Sequence, residues 1–188
     1  IDLDRWWPSE QGALPLPEGW LAHPAVAIAA AQLRQLLSIE SARQQGLWAI
    51  KDPRCSRLLP LWIQLAAELD LPLQLLLAVR DPAEVTASLL HRDGPLVGMD
   101  ANRAQQLWWR HNLEVVRDGQ AANLSLGVID FGRWFVEPEA QLELLLSALP
   151  SLQPTPAQRQ SALDLIRPEH RRSGSAAQKL SIRPELRR

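Results

Sequence analysis

The stretch from Leu73 to Arg92 constrains this chain more than any other. Leu73 to Val79 is nearly all apolar and stops at Arg80. A short apolar run of this kind reads as a strand, and the lack of polar alternation predicts a central strand covered on both faces. Asp81-Pro82-Ala83-Glu84 follows at once. Asp as the N-cap, Pro at the first helical position and Glu at the third are the marks of a helix start. The helix is expected to reach about Arg92, where Gly94 and Pro95 break it. A strand that feeds directly into a helix opens a βαβ unit, and βαβ units build parallel sheets.

The remaining chain keeps that alternation. Residues 1–24 hold Pro8, Gly12, Pro15, Pro17 and Gly19 and read as an irregular opening segment. Ala25 to Ser38 is rich in Ala, Leu and Gln, which are strong helix formers. Leu47 to Ile50 reads as a short buried strand ending at Lys51 and Asp52. Leu58, Trp62, Leu65, Ala66 and Leu69 recur at helical spacing, with Pro60 in the first turn. A long helix is expected over about 100–118, with Ala104, Trp108 and Val115 on one face. Ser125 to Phe131 predicts a third strand, and Glu137–Leu149 and Pro156–Ile166 two more helices. Arg167 to Arg188 carries seven Lys/Arg against two Glu and reads as a basic, solvated tail. The sequence predicts one α/β domain over its 188 residues, with no internal repeat.

Composition removes several function classes. Lys+Arg number 20 against 21 Asp+Glu, for a formal net charge of -1, so nucleic acid is not the expected partner. The single cysteine, Cys55, excludes an internal disulfide framework and a cysteine-rich zinc site. No apolar run approaches the roughly 20 residues that cross a bilayer, and acidic residues and two Trp stand where a signal peptide would carry an apolar run. A cytoplasmic location and no membrane span are expected.

In an open parallel sheet, ligands bind beyond the carboxyl ends of the strands. Two predicted strand ends carry suitable groups. Arg80 has a planar guanidinium that can hold a phosphate in two-pronged fashion, and the helix start beside it offers N–H groups and a partial positive charge. Ser88 lies on the same helix face as Glu84, four residues away. The alternative is that Arg80 pairs with Asp81 or Glu84 and Ser88 only packs. At the other end, Lys51 and Arg54 are cations suited to a phosphate, a sulfate or a developing leaving-group charge. Asp52 between them can accept a hydroxyl proton. Here the alternative is a cap role for Asp52 and a solvated or ion-paired Lys51.

Together these segments resemble the sulfotransferases that use 3'-phosphoadenosine 5'-phosphosulfate (PAPS), in their bacterial form. The residues that carry the likeness are Trp48-Ala49-Ile50-Lys51-Asp52-Pro53-Arg54, Leu58-Leu59-Pro60-Leu61-Trp62 and Leu77 to Leu89. In the family's 3'-phosphate segment an Arg ends a strand and a Ser follows eight residues later, as Arg80 and Ser88 do. Leu107-Trp108-Trp109-Arg110-His111-Asn112 resembles the following helix, and Val128-Ile129-Asp130-Phe131 through Pro138 the later strand and loop. The likeness spans about residues 45–150.

The resemblance implies a parallel sheet flanked by helices, akin to the P-loop nucleotide-binding fold. It implies PAPS as sulfuryl donor without a metal, and a small-molecule or carbohydrate hydroxyl as acceptor. Arg80 and Ser88 would bind the donor's 3'-phosphate. Lys51 lies near a lysine that some members place at the reaction centre. Those members carry a histidine base two residues on, where this chain has Pro53; Asp52 stands in as base, with His91 and His111 as further candidates for base or acceptor contact, and Arg54 for acceptor contact. Arg167 to Gly174 is loosely similar to a late basic loop that contacts the 3'-phosphate. The Gly/Ser/Thr-rich loop that wraps the 5'-phosphosulfate has no counterpart at Gly12, Gly19, Gly46 or Gly174. The expectation is that the first strand and this loop precede Ile1. A chain without them is expected to be inactive and prone to associate through uncovered sheet edges. Two rivals stay open: a non-catalytic binding or interaction module, and another P-loop-like small-molecule transferase or kinase. The kinase would need a Walker-type Lys-Ser/Thr and Mg²⁺ carboxylates, which the sequence does not show.

Overall fold

A computed structural model of the chain describes residues 9–43 and 46–171. Helix α1 (Pro24–Arg43) and helix α2 (Leu59–Glu68) form the first half. Strand β1 (Leu75–Val79), helices α3 (Pro82–Val97) and α4 (Ala101–Ala121) and strand β2 (Leu126–Asp130) form the second. Helices α5 (Pro138–Ala148) and α6 (Pro156–Asp164) follow, and short 3-10 turns cover Trp20–Ala22, Pro53–Ser56, Arg133–Phe135 and Pro168–His170. The fold is mixed α/β with a two-stranded parallel sheet and six α-helices among the described residues. None of these helices is long and apolar enough to cross a membrane.

Two apolar cores divide the work. Leu61 and Leu65 of α2 are fully buried against Val26, Ala30 and Leu37 of α1, with Trp20, Trp48 and Trp62 around them. Burying each such leucine stabilises the fold by about 1.5–3 kcal/mol. The second core joins α3 to α4 through Leu89, Met99, Ala104 and Leu107, with Ala13 from the opening segment. Ala104 has no exposed surface, and so small a side chain lets the two helices approach closely.

β1 and β2 pair in parallel, Leu75 opposite Leu126 through Val79 opposite Asp130. The connection runs through α3 and α4, so the expected βαβ unit is present with two crossover helices. Helix α5 closes over β2. A Cβ on Gly127 would stand 2.4 Å from the Ala148 Cβ, so the helix can lie this close only because residue 127 has no side chain. The opening segment is tied to α4 by buried ions: Arg57 meets Glu114 at 2.9 Å and donates to the Gly12 and Leu14 carbonyls, while Arg110 donates to Ala13.

Several expectations need correction. Among the described residues Leu47 to Ile50 is not a strand: no described backbone pairs with it, and Leu47 and Ile50 are about half exposed, at 51% and 48%. Only Trp48 sinks into the first core. The described sheet therefore has two strands rather than three. β1 is not covered on both faces either; Leu76 and Ala78 face outward between half-buried neighbours. Helix α3 passes through Gly94 and Pro95 and ends at Gly98, which takes a left-handed φ of 61° and donates to the Gly94 carbonyl. A proline inside a helix removes its own N–H bond and crowds the carbonyl one turn back, but Pro95 falls in the last turn of α3, and the glycine beyond supplies the stop. Helix α1 is longer than expected, at 20 residues. Residues 1–8 and the tail from Arg172 onward, Gly174 included, lie outside the described residues.

Candidate functional site

Arg80 stands where β1 ends and α3 begins. Its Nε donates to Glu84 Oε2 at 3.0 Å, one helical turn on. Glu84 is almost fully buried, at 3% exposure, and its other oxygen accepts from Arg171 Nε at 2.8 Å. One buried carboxylate thus fixes two guanidiniums that still reach solvent. The Arg80 guanidinium also lies 4.9 Å from the Phe131 ring centroid, a cation–π contact at the exit of β2. Its two terminal nitrogens make no hydrogen bond among the described residues. Ser88, one further turn along the face of Glu84, is half-buried and likewise makes none.

The start of α3 does not offer the free N–H groups expected of it. Asp81 Oδ1 accepts from Ala83 N at 2.8 Å and from Glu84 N at 3.1 Å. Pro82 has no N–H, and the Val85 N–H bonds the Asp81 carbonyl. An anion here would meet the Arg80 side chain and the helix flank, not the helix amides.

The second group sits on the segment Lys51–Arg54. Asp52 caps the 3-10 turn Pro53–Ser56 and receives Arg54 three ways: N at 2.8 Å, Nε at 2.9 Å and Nη2 at 2.6 Å. The Arg54 side chain holds the Asp52 carboxyl down at about 2, against the modest pull of burial. A carboxylate this weakly basic is a poor proton acceptor near neutral pH. Lys51 is exposed, with no ion pair among the described residues. His111 of α4 reaches the same segment, its Nδ1 2.9 Å from the Pro53 carbonyl oxygen and 3.0 Å from Ser56 Oγ. Burial keeps its imidazole below the usual value; Arg57 pushes the same way, while the Pro53 carbonyl and Asp52 oppose. Burial thus favours the neutral ring of His111. His91 is exposed on α3 and touches neither group.

One turn of α4 joins the two places. Trp108 Nε1 donates to the Arg80 carbonyl at 2.8 Å, and His111, three residues on, holds Pro53. Residues three apart share a helix face and lie about 4.5 Å apart along the axis. The exit of β1 and the Lys51–Arg54 segment therefore converge on a single helical turn. The sequence marks Arg80, Ser88, Lys51, Asp52, Arg54 and His111 as candidates, and Arg171 only as part of the basic stretch Arg167 to Gly174; Trp108 as the tie and Phe131 as the ring under Arg80 go unmarked. Arg171 falls in the stretch read as a solvated tail and only loosely likened to a phosphate-contacting loop; its contact with Glu84 spans 87 positions, so no local signal reports that pairing.

Compared with family models, with curated proteins and with solved structures, the chain matches none.

Proposed function

We propose that this chain is a PAPS-using, sulfotransferase-type domain of the P-loop-like class. Together with the 5'-phosphosulfate loop that this sequence does not show, it would transfer a sulfuryl group to a hydroxyl, with carbohydrates the first acceptors to try. The observation that carries the reading is the convergence of Arg80 and Lys51–Arg54 on one turn of α4. Sulfuryl transfer needs a nucleotide anchor and a cation near the leaving group, set a fixed distance apart, because positioning and charge neutralisation supply most of the rate. Arg80 fits the anchor: Glu84 orients it through Nε and leaves its terminal nitrogens for the 3'-phosphate. Ser88 adds a hydroxyl on the same flank, and exposed Lys51 is the cation for the 5' end.

Calorimetric titration of the chain with 3'-phosphoadenosine 5'-phosphate (PAP), the donor's product, tests this. A charge-assisted hydrogen bond contributes about 1.5–3 kcal/mol, so Arg80→Ala should weaken binding by roughly tenfold or more. Equal affinity in the two proteins would remove the assignment.

A second reading, a nucleotide-binding module without transfer, has its own support. Asp52 is spent on Arg54, and the segment carrying Lys51 is unpaired by any strand among the described residues. It predicts PAP binding with no release of sulfate from PAPS.

A further inference from the structure

We propose that helix α1 carries a homodimer interface, along which two copies of this chain pair antiparallel through Ala25, Ile28, Gln32, Leu36 and Ile39. Only Arg34, Glu40 and Arg43 carry charge in the 20 residues of α1, so the helix is apolar around most of its circumference. Those charges are already engaged: Arg34 meets Glu68 of α2, and Arg43 meets Glu40. A helix of this composition is normally covered on more than one side. One side is covered, where Val26, Ala30, Leu33 and Leu37 pack on α2. The other side is bare: Ile28 is 64% exposed, Leu36 58% and Ile39 43%. At 3.6 residues per turn the five stripe positions fall within an arc of about 80°, centred roughly 130° from the buried side.

The spacing selects a second copy as the occupant. Ile28 and Leu36 stand four residues either side of Gln32, and Ala25 and Ile39 stand seven, so the stripe reads the same in both directions. A two-fold axis at Gln32 sets Ile28 level with the second copy's Leu36, about 6 Å from the axis. It sets Ala25 level with the second copy's Ile39, about 10 Å out, where the small side chain leaves room for the large one. The two Gln32 side chains meet on the axis. Gln32 is exposed and makes no hydrogen bond among the described residues. Each carboxamide offers its twin an N–H donor and a C=O acceptor, whereas a wholly apolar partner would bury the amide unpaired. One polar residue in an apolar seam fixes register and orientation. The antiparallel arrangement also lays the positive N-terminal end of each α1 beside the negative C-terminal end of the other. A single helix pair of this length, about 30 Å, lies at or below the roughly 1,200 Å² where stable interfaces begin, so the dimer is weak and reversible.

Sedimentation equilibrium of the chain tests this. Between about 5 and 500 μM, the range of a weak interface, the weight-average mass should climb from 21.1 kDa towards twice that value. Ile28→Glu places a charge in the seam at an exposed position and should hold the mass at 21.1 kDa throughout. Gln32→Glu and Gln32→Lys should each stay monomeric alone, because like charges meet on the axis, and an equimolar mixture of the two should associate again. Rescue by mixing requires residue 32 to face its own copy. Circular dichroism matching the unaltered chain confirms that each variant is folded, and the mixing experiment decides should Ile28→Glu not fold. An unaltered chain that stays monomeric across the range, association that survives in folded Ile28→Glu, or a mixture that stays monomeric overturns the proposal.

Discussion

Ala49-Ile50-Lys51-Asp52-Pro53 and Ala78-Val79-Arg80-Asp81-Pro82 follow one pattern: two apolar residues, a cation, Asp and Pro. The local outcome is shared. Each Asp caps the turn that follows and accepts the backbone N–H two residues on, Arg54 in one case and Ala83 in the other. Everything beyond the cap differs. Val79 lies in a strand, and its carbonyl accepts from Phe131 N at 2.8 Å; Ile50 pairs with no strand among the described residues and stays half exposed. Asp81 opens a helix of 16 residues and Asp52 a 3-10 turn of four. The third position after the cap is buried Glu84 in the first and half-buried Cys55 in the second. A cap is decided within four residues, whereas a strand exists only if another strand arrives to pair with it.

The sharpest way to break this comparison is at the third position. Glu84→Ala leaves Arg80 and Arg171 without their shared carboxylate. Fully buried pairs lose about 3–5 kcal/mol when one partner goes; because both arginines reach solvent, we expect about 2–3 kcal/mol in urea denaturation. Cys55→Ala should stay within about 1 kcal/mol. Equal losses would mean that Glu84 is not the keystone of the Arg80 end.

Next is the sheet that only one of the two segments possesses. Gly127→Ala drives a methyl group into Ala148 and Leu76. Such overpacking costs about 1–3 kcal/mol, and a melting scan should fall by about 2–4 °C for each of these. An unchanged melting temperature would show that α5 does not pack on β2 as closely as described.

The caps should behave alike. Asp81→Ala and Asp52→Ala should each cost about 1 kcal/mol, the ordinary loss for a capping carboxylate. A loss at one and none at the other would end the claim that the local pattern acts the same way twice.

The smallest effect is acidic. The Asp52 carboxyl is held at about 2 in the folded chain, below its usual 3.8. Its contribution is complete above 3.8 and is lost as pH falls through about 2. Arg54 is largely solvated, so the amount is at most about 1 kcal/mol, and Arg54→Ala should abolish it. His111 follows the same sign in a higher window: its value is lowered on folding, so its share is full above the unfolded value near 6.5 and is lost as pH falls below it.

These contrasts show what could be read along the chain. The apolar run ending at Arg80, the Asp81 cap, the helix whose spacing put Leu65 and Ala66 on its apolar face and the parallel pairing were legible because spacing and end signals carry them. The Leu47–Ile50 segment was not, because an apolar tetrapeptide does not say whether a partner strand exists. The free helix amides were not, because the Asp that signals a helix start also occupies the N–H groups it signals. Of the site, Arg80, Ser88, Lys51 and His111 were visible as residue types in a pattern. Their convergence was not, since it depends on Trp108 and His111 reaching segments 28 and 58 positions away.

The most direct measurement compares the affinity of the chain for PAP with its affinity for adenosine 5'-phosphate, which lacks the 3'-phosphate. If Arg80 grips that phosphate, PAP binds at least about tenfold more tightly, and Arg80→Ala erases most of the difference. Equal affinity for the two nucleotides in the unaltered chain would contradict the account.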